Sequence, residues 1–131
     1  MVVVADGQGL PVGIHVCSAS PHESRLVEAT LAATHGRPRR LIGDRAYDSD
    51  PLRARLAEMG IELIAPHRKG RKKTPTQDGR ALRRYKRRWK VERVFAWLGK
   101  YRRLVVRWDH NVQIYRAFIL IGFIMMLVNQ L

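Results

Sequence analysis

Asp44 and Glu92 are the side chains of this sequence whose surroundings could support metal-assisted chemistry. Glu92 is the single acid between Arg80 and Arg93, a stretch holding eight Lys or Arg residues. Tyr85, Arg88 and Glu92 are spaced i, i+3, i+7, so on a helix they share one face. Val91, Val94, Phe95 and Leu98 form an apolar stripe beside it. A lone carboxylate among cations suited to phosphate is a candidate metal ligand in a nucleic-acid site. The plainer alternative is that Glu92 neutralises Arg88 one turn back, a surface pair worth about 0.3–0.5 kcal/mol. Asp44 closes a short apolar strand, 92 − 44 = 48 residues upstream. Ligands collect beyond the carboxyl ends of such strands, although an Asp there also serves turn hydrogen bonds. Phosphodiester chemistry uses acids of this kind to hold divalent metals about 3.5–4 Å apart, and oxygen ligands favour Mg²⁺ or Mn²⁺.

The elements that must position these two acids can be read in order. Val2–Ala5 and Pro11–Ser18 alternate as strands around the turn Asp6-Gly7-Gln8-Gly9, a β-hairpin in which Asp6 is a turn former before it is an acid. Ser20, Pro21 and Glu23 open a helix as cap, first-turn proline and capping-box acid. Leu26, Ala29, Thr30 and Ala33 continue one face to Gly36. Leu41–Gly43 is a brief strand ending on Asp44, and Asp50-Pro51 caps a helix whose Leu52, Leu56 and Met59 face inward until Gly60. Ile61–Ala65 is the next strand, so strand, helix and strand imply a right-handed parallel crossover. Residues 66–79 form a Pro/Gly-rich basic loop, expected to be mobile in isolation. Residues 80–131 make a helical part: one long helix over Arg80–Leu104, a segment Tyr101–Trp108 that reads as strand or irregular, and an apolar last helix starting at Asp109 or Asn111. Its apolar run Ala117–Val128 is short for a membrane span, and a buried terminal helix is expected.

Composition sets the partner class. The chain of 131 residues has a formal net charge of +14, and 17 of its 25 Lys and Arg residues lie between Arg68 and Arg107. The acids in that interval are Asp78 and Glu92. Such clustering favours a polyanion, with counterion release at phosphates as the driving term. A small basic RNA-binding protein would share the charge but leaves the Tyr85, Arg88 and Glu92 pattern unused. Cys17 is the only cysteine and the five histidines are scattered, so no Cys- or His-based zinc site is expected. Met1–Ala5 lacks the basic start of a signal peptide, so a cytoplasmic protein is expected.

Two segments resemble the DDE transposases of bacterial insertion sequences, in the insertion-sequence-four/five group. Ile42-Gly43-Asp44-Arg45-Ala46-Tyr47-Asp48 is similar to the second acidic segment of that family. Tyr85, Arg88 and Glu92 match its third, Y-x2-R-x3-E-x6-K, within the run KRRWKVERVFAWLGKYRRL. The last position departs: Gly99 stands where the pattern has Lys, and Lys100 follows one step on, about 100° further round a helix. The resemblance implies an α/β, RNase H-like (ribonuclease H/integrase-type) catalytic domain, with residues 1–131 forming a single partial DDE domain. It implies truncation at the N-terminus, because the strand bearing the family's first Asp would lie in mid-sheet, upstream of the hairpin. Asp6 does not match that first Asp.

In the complete enzyme Asp44 and Glu92 would hold Mg²⁺, or Mn²⁺, for strand cleavage and strand transfer at transposon ends. Arg88, Tyr85 and Lys100 would act beside them. Arg68, Lys69, Arg71, Lys72 and Lys73 of the loop, with Arg84, Arg87, Lys90 and Arg93 of the helix, would grip the phosphates of transposon-end and target DNA. The implied partners include an upstream-frame polypeptide supplying the missing strand and, once complete, further copies of the same chain, with no membrane. The chain alone is expected to be catalytically inactive. The alternative is a fragment that only binds DNA, or binds and inhibits a full-length transposase.

Overall fold

A computed structural model describes residues 1–17 and 22–130. Among the described residues the strands form two separate pairs. Strands β1 (Val2–Ala5) and β2 (Pro11–His15) are antiparallel, with Val3 opposite Ile14 and a register shift after Val4. Strands β3 (Arg40–Ile42) and β4 (Glu62–Ile64) are parallel, with Leu41 opposite Leu63. The hairpin turns as its sequence dictates: Asp6 Oδ1 accepts from the N–H groups of Gln8 (2.8 Å) and Leu10 (2.9 Å). Gly9 takes φ +86°, and a Cβ there would lie 2.6 Å from the Arg93 guanidinium.

Helix α1 (Val27–Ala32) is shorter than expected and has no side-chain cap; a 3₁₀ turn over Glu23–Arg25 precedes it. The expected cap and proline, Ser20 and Pro21, lie outside the described residues, as does the side chain of Glu23. Helix α2 (Asp50–Glu58) is capped by Ser49, not Asp50, since Ser49 accepts from the Leu52 N–H and Asp50 is already helical. Basic residues 80–104 do not form one helix. Asp78 caps α3 (Gly79–Tyr85), a 3₁₀ turn covers Lys86–Arg88, and α4 (Trp89–Leu98) follows. Helix α5 (Arg102–Val105) occupies the segment that could have been strand. Asn111, not Asp109, caps α6 (Val112–Val128), accepting from the Gln113 N–H at 2.8 Å.

Two hydrophobic clusters result. Val3 and Ile14 of the hairpin pack with Val94 and Leu98 of α4 and Ile119, Phe123 and Met126 of α6. Val27 and Leu31 of α1 pack with Leu52 and Leu56 of α2 and Leu63 of β4. Burying α6 completely was the expectation, but it uses one face; Leu120, Ile121, Ile124 and Val128 remain exposed. Among the described residues no helix is long and apolar enough to cross a membrane.

Candidate active site

Between β1 and β3, each paired on one side only among the described residues, lies an open cleft of about 540 Å³, with α1 and α4 completing its walls. Asp44 and Glu92 both line it. Asp44 leaves β3 as the cap of a 3₁₀ turn over Arg45–Tyr47, and its Oδ1 accepts from the Ala46 N–H at 2.8 Å. The ring of Tyr47 packs so closely over the preceding residue that a Cβ on Gly43 would lie 2.9 Å from it. Glycine at that position lets the chain enter the turn under the ring.

Arg88 joins the two acids. Its Nη1 lies 3.9 Å from Asp44 Oδ2, and its Nη2 donates to Glu92 Oε1. The Tyr85 ring centroid is 5.9 Å from the same guanidinium. The 3₁₀ turn that ends at Arg88 does not scatter Tyr85, Arg88 and Glu92: Arg88 still reaches Glu92 across the first turn of α4 and stays near the Tyr85 ring. The acid side chains are 41% (Asp44) and 56% (Glu92) exposed, open to a ligand.

Magnesium is commonly held by one or two carboxylates, with water and substrate phosphate completing its shell. Asp44 and Glu92 provide that donor class, and the cationic head of Arg88 already occupies the position between them. Among the described residues no group of three His, Cys, Asp or Glu could hold a metal. The donor set thus fits a divalent ion that takes its remaining ligands from elsewhere.

The expected DNA-binding cations fall into distinct groups. Arg84, Arg87 and Lys90 line the cleft with Arg88. Lys90 also donates to the Gly7 carbonyl, and Arg93 donates to the Gln8 carbonyl at 2.8 Å while lying over the rings of Trp89 and Trp97. Both therefore hold the hairpin turn. In the loop, Lys69, Lys72 and Lys73 are exposed, Lys73 with Asp50 at 3.4 Å. Arg71 and Arg68 are used internally: Arg71 pairs with Asp50 at 2.9 Å, and Arg68 donates to the carbonyls of Arg45 and Ala46. Lys100 lies in the turn after α4, one residue past the C-cap Gly99, and is not among the cleft residues.

Asp48, to which the sequence assigned no role, is the most heavily hydrogen-bonded acid among the described residues. Its side chain is 2% exposed, and it accepts from Arg53 Nη1 (2.7 Å), His67 Nδ1 (3.0 Å) and the Arg68 N–H (2.8 Å), with Arg71 Nη1 at 3.4 Å. Burial alone would raise its pKa, but these donors outweigh it and bring the carboxyl down to about 2. His67 Nε2 accepts from the Thr76 N–H, which leaves the proton on Nδ1, facing Asp48. Gln77 closes the loop with both ends of its amide, accepting from the Ala65 N–H and donating to the Ala65 carbonyl. The loop expected to be mobile is consequently tied down at His67, Arg68, Arg71, Thr76 and Gln77. Its pattern is invisible locally, because every tie spans many residues.

A family model described as transposase DDE domain matches residues 1–128. A protein of Burkholderia cepacia, described as a candidate transposase for insertion sequence element IS402, is 38% identical over 130 residues, covering 92% of this chain and 58% of its own length. The chain therefore spans little more than half of that relative. No solved structure matches.

Proposed function

The chain belongs to the transposase DDE domain family, and on that premise we propose that it carries two of the acidic ligands of a DNA transposase active site, Asp44 and Glu92. The observation that supports this reading is Arg88, one guanidinium shared by acids from segments 48 residues apart (92 − 44). A bound Mg²⁺ or Mn²⁺ would polarise the phosphodiester and lower the pKa of the attacking water. Asp44 and Glu92 would hold that ion at the mouth of the cleft. Arg88, released from the carboxylates, would turn to a non-bridging oxygen of the scissile phosphate, with the Tyr85 ring beneath it. Arg84 and Arg87 would take the flanking phosphates, with Lys69, Lys72 and Lys73 extending the contact and Lys100 further along the backbone.

The unpaired edges of β1 and β3 face the same cleft. An extended segment from outside this chain would find backbone partners on both and unite the two pairs in one RNase H-like sheet. Such a segment, supplied by an upstream polypeptide, would bring the third acid, and the complete enzyme would act as a homo-oligomer. The test adds that segment to this chain and follows Mg²⁺-dependent nicking of transposon-end DNA. Asp44→Asn and Glu92→Gln should each abolish nicking; activity equal to the parent's would refute the assignment.

The two-acid donor set also favours a second reading for the chain on its own, DNA binding without cleavage. Binding should then weaken steeply with salt and persist in EDTA. Robust cleavage by the purified chain alone would overturn that reading.

A further inference from the structure

We infer that Arg68 is a positioning residue for the Asp44 carboxylate, acting through the single peptide plane between Arg45 and Ala46. The inference rests on the reading of Asp44 as a metal ligand and deepens it. Arg68 Nε donates to the Arg45 carbonyl at 3.1 Å, and the Ala46 N–H on the opposite side of the same planar unit donates to Asp44 Oδ1 at 2.8 Å. Turning that plane would break both bonds together. Arg68 Nη2 adds a second anchor on the Ala46 carbonyl at 2.8 Å, so the planar fork spans two successive carbonyls. Donation to the Arg45 oxygen also polarises the peptide and strengthens the Ala46 N–H as a donor. Arg68 is itself held, because its backbone N–H donates to buried Asp48 Oδ2 at 2.8 Å. The basic loop thus sets the orientation of a carboxylate 24 residues away (68 − 44).

Electrostatics and positioning predict opposite signs at this residue, which makes the inference testable. Removing a cation near a cation site should tighten metal binding by relieving repulsion. Losing a positioning contact should weaken it, since outer-shell partners of metal ligands typically contribute about 10–100-fold to affinity. The experiment uses the 131-residue chain with Mn²⁺ as the probe, comparing the parent with Arg68→Ala, Arg68→Lys and Asp44→Asn. Amide exchange at Ala46 and Mn²⁺ affinity by electron paramagnetic resonance are both read. In Arg68→Ala, exchange at Ala46 should accelerate about 10-fold or more while core amides such as Ile64 and Val94 keep their protection, and Mn²⁺ affinity should fall about 10-fold. Arg68→Lys, with the charge but not the fork, should recover part of each. Unchanged exchange at Ala46, or tighter Mn²⁺ binding in Arg68→Ala, would overturn the inference. Asp44→Asn separates the two claims. If its Mn²⁺ affinity equals the parent's, the ligand reading of Asp44 fails, and the positioning of its side chain is then decided by Ala46 exchange alone.

Discussion

Asp44 and Asp48 stand at the two ends of one turn, yet their surroundings are opposite. Asp44 is 41% exposed, accepts from one backbone N–H and meets a single guanidinium at 3.9 Å. Asp48 is 2% exposed and saturated by donors from α2 and the basic loop. A carboxylate meant to exchange partners must be left with loose ones, whereas a carboxylate that fixes a loop must have its lone pairs filled. The same contrast holds between Arg88, bridging exposed acids, and Arg53, enclosed at 14% exposure between Asp48 and the Ala65 carbonyl. Position in the molecule, not residue type, separates the exposed acids of the proposed site from the enclosed acid that holds the loop.

The largest expected effect falls on the supporting region. Asp48→Ala would leave His67 Nδ1 and the Arg68 N–H without their acceptor and remove the carboxylate shared by Arg53 and Arg71, whose remaining partners are the Ala65 carbonyl and Asp50. Breaking a buried charged network from one side costs about 3–5 kcal/mol. Urea unfolding followed by tryptophan fluorescence should show a loss of about 3 kcal/mol, with loop residues 66–79 becoming protease-sensitive. A loss below about 1 kcal/mol would mean the network contributes little, and the contrast with Asp44 would collapse.

Acid should reproduce a smaller version of the same loss. The folded-state pKa of Asp48 lies below its usual value of 3.8, at about 2. Its contribution is therefore fully present above about pH 4 and disappears as pH falls towards about 2. The difference corresponds to about 2 kcal/mol, less than the alanine substitution because a protonated carboxyl keeps its volume and part of its hydrogen bonding. Stability of the parent should drop through that window, and Asp48→Asn should flatten the drop. An identical acid profile in both proteins would assign the effect to other groups, of which Asp50, also lowered by its hydrogen bond to Arg71, is the first candidate.

The exposed acids should behave in the reverse manner. Asp44→Asn and Glu92→Gln are expected to change stability by less than about 0.5 kcal/mol, as surface substitutions do, while abolishing metal-dependent nicking in the complemented enzyme. A large destabilisation by either would mean that the site is structural and the comparison false.

How much of this was legible in the sequence depends on the span of each interaction. The Asp6 turn, β1, α2 and β4 were readable, because each follows from residues within one or two turns. So was the Arg88–Glu92 pair, and the placing of Glu92 and Asp44 on one cleft followed from the resemblance. The step at Lys86–Arg88 was not, since residues 80–98 on either side of it are mostly good helix formers and include neither Gly nor Pro. It coincides with the start of α4, the helix whose Lys90 and Arg93 reach back to Gly7 and Gln8. The Asp48 network was equally hidden, for its ties run from Arg53, five residues on, to Arg71, 23 residues on. That Arg68 and Arg71 also bond to acceptors within the chain was hidden too, because charge alone does not say where internal acceptors lie.

The smallest effect gives the sharpest discrimination. Arg88 and Glu92 are an i, i+4 pair at the surface, and such pairs couple by about 0.3–0.5 kcal/mol. The screening length shrinks from about 10 Å at 0.1 M salt to about 3 Å at 1 M, so a coupling between exposed charges should fade across that range. A double-mutant cycle with Arg88→Ala and Glu92→Gln should therefore give a small coupling at low salt that vanishes at 1 M. The matching cycle with Arg53→Ala and Asp48→Asn should give a coupling several times larger and insensitive to salt, because solvent ions do not reach a side chain 2% exposed. Equal salt sensitivity in the two cycles would mean that Asp48 opens to solvent as readily as Glu92 does. A strong, salt-resistant Arg88–Glu92 coupling would mean instead that Arg88 is locked onto its acid, and could not give way to a divalent ion and a phosphate at the mouth of the cleft.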